Sequence, residues 1–415
     1  MTDSSNHLKK NQALVSDLTI HRAIQLRSLK GDRSFGRKIK VSPHKILPLF
    51  KSANNYVYQF VFPDSEFCTP FCCDFAHSAH EGHLVAIGDE EGRLSLLRTD
   101  KDNNMNHAQY HHSFYCHRHG ISDVKWSQDD TMLLTASHDR LVRLWDTETR
   151  SSLADFVGHE DVVKSVNWHP YNEHLLITGS KDGSFRIWDT RFNQKPAIDS
   201  VEDVPSAPVY NCITAIANAH DYGQNNKTTR TSQVEPNIIR SVTCALFVNR
   251  EETKVISSGS ADGSIKLWDI RTCRSAQALE STVFESEGGR RYGVTDLKMD
   301  RSGTRLFSAC KDNSIYMHYL VNLTKPATRL TDPDFKLGGF DIRISISADD
   351  HFVMAGSDDK DIFVWELDAP KRKPFRYEGH TRKVTGVSWS KFTTHQFASC
   401  SEDFTARIWN FGYSD

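Results

Sequence analysis

No stretch of this 415-residue chain is apolar for the length a bilayer crossing needs, and its opening, MTDSSNHLKKNQ, carries no apolar signal core. Neither a membrane span nor a secretory leader is expected. A strong net charge is missing too: at −2, no field over the whole molecule steers it to nucleic acid or membrane. The local exception is residues 1–51, where eleven Lys or Arg face three Asp, a basic tail on a chain whose remainder carries −10 (−2 − 8). The nine cysteines are odd in number and form no C-x-x-C pair, which suits buried thiols in a reducing compartment, and no disulfide framework is expected. GSKDGS lacks the G-K-[ST] ending of a phosphate loop, and no nucleophile elbow occurs. What remains is a soluble, intracellular, non-catalytic chain. Its composition, 38% hydrophobic and 10% aromatic, suffices for a large core.

What is present is a repeat. ITGSKDGSFRIWDTR (177–191) is nearly restated by ISSGSADGSIKLWDIR (256–271). An acidic residue six positions before a tryptophan recurs at Asp139/Trp145, Asp182/Trp188, Asp262/Trp268, Asp359/Trp365 and Asp403/Trp409, and in worn form at Glu91/Leu97 and Asp312/His318. These seven frames follow one another at about 45 residues, the period of four-stranded propeller blades. The exception is the step from Trp188 to Trp268, which holds one repeat plus an insertion over about 192–237. A second register runs in step with the first: His117, His159 and His380 each stand nine residues before Trp126, Trp168 and Trp389. Runs such as VKSVNW and LLITGS between turns read as strands.

The repeats resemble the WD40 family over roughly residues 68–410. That resemblance implies an all-β, seven-bladed propeller in which the repeat histidine, a strand Ser or Thr, the turn aspartate and the tryptophan form a buried network within a blade. Carried over, the structural positions are His117, His159, His380, Asp139, Asp182, Asp262, Asp403, Trp145, Trp188, Trp268 and Trp409. A buried aspartate is tolerable only when its oxygens accept several hydrogen bonds. The last blade runs out of chain before a fourth strand, so the alternating run NYVYQFVF (55–62) is expected to pair there and close the ring. The domain reading is a basic, partly helical extension at 1–54 followed by the propeller at 55–415, with the insertion mostly loop and His220 restarting the fourth blade. HHSFYCHRHG (111–120) gathers possible zinc ligands, but His117 belongs to the repeat register and no second ligand pair is nearby. No metal and no cofactor are expected.

Arg191 and Arg271 stand two positions beyond a Trp-Asp pair in consecutive blades, where the chain turns to the outer strand, on one face of the disc. In isolation, each could simply pair with Asp189 or Asp269 and brace a turn. As a tandem, WDTR (188–191) and WDIR (268–271) resemble the substrate receptors of cullin-4 ubiquitin ligases, in which this arginine faces the damaged-DNA-binding-protein adaptor. A planar guanidinium suits such an interface. DEEGRLSLL (89–97), KDNSIYMHY (311–319) and SISADDHFVMAGSDDKDIFVW (345–365) narrow the resemblance to the denticleless family.

Membership in that family implies a nuclear receptor acting in S phase and after DNA damage. It would deliver a replication-licensing factor and other cell-cycle regulators, presented on the sliding clamp, for proteasomal degradation, with no direct contact to nucleic acid. The chain ends six residues past Trp409 and holds no clamp-binding peptide, which argues against direct clamp contact and points to a shorter, fungal-type member. SDLTIHRAIQLRSLKG (16–31) has a capped start and a glycine stop, so a helix at about 16–30 carrying Ile20 and Ile24 is expected to dock on the adaptor, its alternative being a basic import tail. The opposite face would read the degron through residues beside the turn aspartates: Arg140, Lys181, Lys311, Asp358 and Lys360. The rival binding function is a chromatin or histone-tail scaffold, which would use the ring without the tandem arginines.

Overall fold

The computed structural model describes residues 47–53, 56–61, 66–100, 111–192, 194–195, 207–221, 240–249, 251, 253–271, 277–286 and 289–411. These form seven sheets, one per blade, antiparallel throughout their four-stranded cores. The innermost strands are Pro70–Phe75, Ile121–Trp126, Val163–His169, Val242–Phe247, Val294–Met299, Ile344–Ile346 and Val384–Trp389. The third strands are Arg93–Arg98, Val142–Asp146, Phe185–Asp189, Ser264–Asp269, Ser314–Tyr319, Ile362–Glu366 and Thr405–Phe411. Because every blade meanders inner to outer, the turns from second to third strand and the approaches to the next inner strand share one face. The connections from first to second and from third to fourth strand share the other.

Period-2 patterning makes the strands two-sided, and the sides meet at the blade boundaries. Seven apolar clusters each straddle one junction. Ile177, Phe185 and Ile187 of blade three, for example, pack on Val242, Phe247, Val255 and Trp268 of blade four. Each large side chain so buried contributes about 1.5–3 kcal/mol.

Near the axis the blades are also tied by side-chain bonds to their neighbours' backbone. The amides of Trp126, Val166 and Ala245 donate to Asp74 Oδ2, Asp123 Oδ2 and Ser165 Oγ at 3.2, 3.1 and 3.3 Å. Those of Ile344, Trp389 and Phe75 donate to Asp296 Oδ2, Ser345 Oγ and Ser388 Oγ at 3.0, 2.9 and 3.2 Å. At the remaining junction, between blades four and five, the Cys244 thiol donates to Leu297 O at 3.8 Å.

Ring closure uses upstream chain, as its alternating pattern suggests. Val57–Gln59 pairs antiparallel with the last strand, Val57 opposite Arg407 and Gln59 opposite Thr405. A second contribution extends further upstream than the boundary at residue 55. Phe50–Lys51 pairs with the end of the same strand, Phe50 packs 5.6 Å from Trp389 and 5.1 Å from Phe397, and buried Leu47 accepts the Tyr377 hydroxyl at 2.7 Å. The expected extension at 1–54 therefore gives up Leu47–Lys51 to the propeller, because LPLF is apolar enough to fill the gap left by a three-stranded last blade. The helix at about 16–30 lies outside the described residues.

The insertion needs correcting as well. Within 192–237, Thr214–Ile216 is the outer strand of blade three, and Val209–Tyr210 pairs in parallel with Asp155–Phe156 of blade two. Gln194–Lys195 pairs with Val209–Tyr210, which makes blade two a six-stranded sheet. The apolar run VYNCITAI, embedded in polar sequence, supplies the buried Val209, Tyr210 and Ile216 that a loop would not.

Candidate functional site

Four blades carry a complete buried network. In blade three, His159 Nδ1 lies 2.8 Å from Asp182 Oδ2, His159 Nε2 lies 2.7 Å from Thr178 Oγ1, and the Trp188 indole N–H donates to Thr178 Oγ1 at 3.0 Å. Blade two repeats it with His117, Asp139, Thr135 and Trp145 at 2.9, 2.7 and 3.0 Å. Blade seven uses His380, Asp403, Ser399 and Trp409 at 2.9, 2.8 and 2.9 Å. Blade four does so with His220, Asp262, Ser257 and Trp268 at 2.8 Å throughout. The directions are forced: the indole donates to the hydroxyl, the hydroxyl donates to Nε2, and Nδ1–H donates to the carboxylate.

Burial pushes His159, His220 and His380 below the ordinary histidine value, against the pull of their aspartates. Burial raises the aspartates, yet the histidine bonds and the turn outweigh it, leaving Asp139 at about 2 and Asp182, Asp262 and Asp403 well below the usual range. In blades three, four and seven a neutral imidazole beside an ionised carboxylate braces a turn. It offers no nucleophile.

His220 was visible in the sequence only as a possible restart of blade four, since the insertion hides its spacing to Trp268. The hydroxyl partners carry no signal in the sequence beyond their place in the strand.

The other blades depart in instructive ways. In blade five His318 occupies the tryptophan position, opposite Leu306 as Trp188 is opposite Leu176. Neither of its ring nitrogens nor Ser308 Oγ has a hydrogen-bond partner, and burial lowers the imidazole to about 4. There Asp312 is held by the Tyr316 hydroxyl at 2.5 Å and by Arg329 at 3.1 Å. In blade six Asp359 pairs with Lys336 at 2.6 Å.

On the network face the five candidate degron readers are dispersed. Lys311 lies over the Phe340 ring at 4.2 Å, and Asp358 is 3.7 Å from Lys383, which also grips Asp341 at 2.6 Å. Lys181 sits 4.0 Å from Asp161 on blade three. Arg140 and Lys360 are exposed and hold left-handed turn positions, φ 74 and 65, that glycine fills in blades three and four. The structure brings Lys311 and Asp358 to one charged cluster, with Lys360 on the same turn as Asp358, and leaves Arg140 and Lys181 on the turns of blades two and three.

On the opposite face Arg191 and Arg271 repeat one geometry. Arg191 Nε and Nη2 donate to Asp189 Oδ1 and Oδ2 at 2.9 and 2.7 Å, and Arg271 does the same to Asp269 at 3.2 and 2.8 Å. These bonds hold Asp189 and Asp269 below the usual carboxylate range. Two of five guanidinium N–H groups are used in each. The side chains stay 48% and 69% exposed, so the fork is aimed without being buried. Blade two has Glu148 at this place, and its Asp146 accepts from Thr149 instead.

The exposed Phe192, whose ring lies 5.5 Å from Arg191, joins exposed Tyr171 and Ile213 on this side of blade three, and Leu279, Tyr319 and Val321 on blades four and five. Sequence reasoning missed these apolar residues; their signal was an aromatic or aliphatic residue just past a strand end. Ile20 and Ile24 lie outside the described residues. Among the described residues no group of three or more His, Cys, Asp or Glu could hold a metal.

The WD40 family model, "WD domain, G-beta repeat", matches residues 108–146, 150–189, 237–269, 339–366 and 371–410, passing over the blades with worn frames at Leu97 and His318. The chain is 31% identical over 350 residues to a Denticleless protein homolog of Danio rerio, covering 82% of this chain and 51% of the relative. Against the Denticleless protein homolog of Homo sapiens it is 28% identical over 354 residues, 82% and 46% of the two chains. Protein lethal(2)denticleless of Drosophila melanogaster gives 29% over 354 residues, 82% and 44%. The chain thus spans about half the length of the curated relatives it matches.

Proposed function

This chain belongs to the denticleless family of WD40 proteins, and on that premise we propose that it is the substrate-recognition subunit of a cullin-4 RING ubiquitin ligase. The observation that carries the reading is the pair Arg191 and Arg271, each aligned by its own aspartate and each presenting unused donors on the same face of adjacent blades. The adaptor of the damaged-DNA-binding-protein family docks there, with Phe192 and Tyr171 adding apolar area and the N-terminal segment around Ile20 and Ile24 adding a second contact. Cullin-4 is reached through the adaptor. The network face takes the degron of a replication-licensing factor or another cell-cycle regulator in the nucleus. The receptor performs no bond chemistry; it raises the effective concentration of a substrate lysine near a charged conjugating enzyme.

The test is the Arg191→Ala/Arg271→Ala double variant, measured against purified adaptor by calorimetry. Losing both guanidinium forks from the interface is expected to lower adaptor affinity at least tenfold. A folded double variant that binds the adaptor as wild type does would overturn the reading. Recovery of histone tails without ligase subunits from replicating cells would favour a chromatin scaffold.

A further inference from the structure

Arg191 and Arg271 occupy one register, two positions past the dipeptide that ends the third strand, and the other blades fill the same register on the same face. From blade one to blade six its occupants are Asp100, Glu148, Arg191, Arg271, Val321 and Asp368. The matching residue of blade seven, Gly412, lies outside the described residues. One register thus divides this face of the disc into two arcs. Blades six, one and two carry acids; blades three and four carry guanidiniums, and blade five follows them with an apolar side chain.

Val321 is the odd member. In blade five Tyr319 stands where Asp189 and Asp269 clamp their arginines, so this blade has lost both the cation and the carboxylate that aims it. The valine put there is 97% exposed, more than any other large hydrophobic among the described residues. A scattered exposed valine needs no explanation, but this one is held out by its turn. The Asn322 amide closes that turn on Tyr319 O at 2.9 Å, and the Leu320 amide donates to Thr304 O at 3.0 Å. Leu323 is fully buried at the junction of blades four and five, with Leu320 packed against the same cluster. The Leu323 carbonyl accepts the Thr282 hydroxyl, and its amide donates to Glu280 at 3.4 Å. Both ends of the turn are therefore pinned while its tip faces solvent. Exposed Tyr319, and exposed Leu279 next in the chain to Glu280, extend the apolar surface around it.

The arcs differ also in what is already engaged. Asp100 is paired with Arg98 at 2.7 Å and Asp368 with His351 at 2.8 Å, whereas Arg191 and Arg271 keep N–H groups beyond the two each gives its aspartate. A second copy of this chain would have to answer the arginines with acids drawn out of existing pairs. A different protein, offering carboxylates or carbonyls beside an apolar recess, matches blades three to five as they stand.

On the reading that the ligase adaptor docks on this face, we propose that its footprint runs from blade three to blade five and that Val321 is its apolar anchor, seated in a recess of the adaptor next to the acceptors that take Arg191 and Arg271. The acidic arc on blades six, one and two lies outside the footprint.

The test is calorimetric titration of the purified full chain with purified adaptor. Val321→Asp, which puts a charge where an apolar recess must close, is expected to weaken binding about tenfold or more with an unchanged melting midpoint. Val321→Ser, which adds no charge, should weaken it in the same direction, and Val321→Leu should bind as wild type does. Asp368→Ala, in the same register of blade six, should also bind as wild type does. If Arg191→Ala/Arg271→Ala loses the adaptor while Val321→Asp and Val321→Ser keep it, or if Asp368→Ala weakens binding as much as Val321→Asp, the footprint is wrong and the docking reading stands. If wild type does not bind the adaptor, or every variant binds it equally, the docking reading falls and this inference with it. Sedimentation of the chain alone decides the remaining occupant: a concentration-dependent dimer that Val321→Asp abolishes would assign the turn to a second copy and overturn the proposal.

Discussion

Ala355 stands to Trp365, in blade six, as Thr178 stands to Trp188 in blade three: two residues beyond the strand partner of the tryptophan. The consequence is a buried indole N–H without an acceptor in blade six, whereas Trp188 donates to a hydroxyl at 3.0 Å. Phe335 packs 4.9 Å from Trp365.

Supplying the hydroxyl should therefore stabilise the protein. Ala355→Ser adds one oxygen where blades two, three, four, five and seven have one, and satisfying a buried donor is expected to contribute about 0.5–1.5 kcal/mol. The measurement is the urea midpoint at unchanged slope. A lower midpoint would mean that the added atom costs more in packing than the indole bond returns, and that the orphaned N–H is not a defect.

Much of this architecture was legible because two periodicities coincide, and its gaps have physical causes. Trp365 keeps its frame in the sequence because the Asp359 spacing survives, yet nothing in that spacing reveals that Ala355 has replaced a hydroxyl. Thr214–Ile216 escaped notice because three residues give too short an alternation to stand out inside a polar insertion. Arg191 and Arg271 were legible as a pair, being adjacent to the repeat's most recognisable residues. Arg343 was not: it donates across the ring to the carbonyls of Ser122 and Lys164, 221 and 179 residues away, a closeness that only the closed ring creates.

Stability should fall on acidification in two stages. His159, His220 and His380 have folded values below the unfolded reference of about 6.5, so below that pH the unfolded chain binds more protons and stability drops. His138 and His318, both at about 4, act in the same direction. Asp139, Asp182, Asp262 and Asp403 contribute stability that is present above about 4 and is lost as pH falls toward their depressed folded values. Asp155, Asp350 and Asp361, raised by burial, oppose this above about 4. Urea midpoints should be level near pH 7–8, decline from about 6.5 and steepen below about 4. A midpoint that rises between pH 7 and 5 would contradict the neutral-histidine networks.

The residue after the turn aspartate in blades two to seven sets up the last prediction. Gly183 and Gly263 sit there at φ 86 and 59, while Arg140, Asn313, Lys360 and Phe404 sit there at 74, 60, 65 and 67. A left-handed conformation costs a residue with a Cβ roughly 1–2 kcal/mol, and glycine relieves that at an unfolded-state cost of about 0.4–1 kcal/mol. Arg140→Gly and Lys360→Gly should each raise stability by up to about 1 kcal/mol, read as a higher melting midpoint. Two strained, exposed, charged turn residues on the face assigned to the degron are a stability cost that binding would explain. The glycine variants are therefore expected to hold the adaptor normally while capturing substrate less well in a ubiquitination assay. Variants that are more stable and capture substrate as wild type does would remove Arg140 and Lys360 from the degron-reading surface.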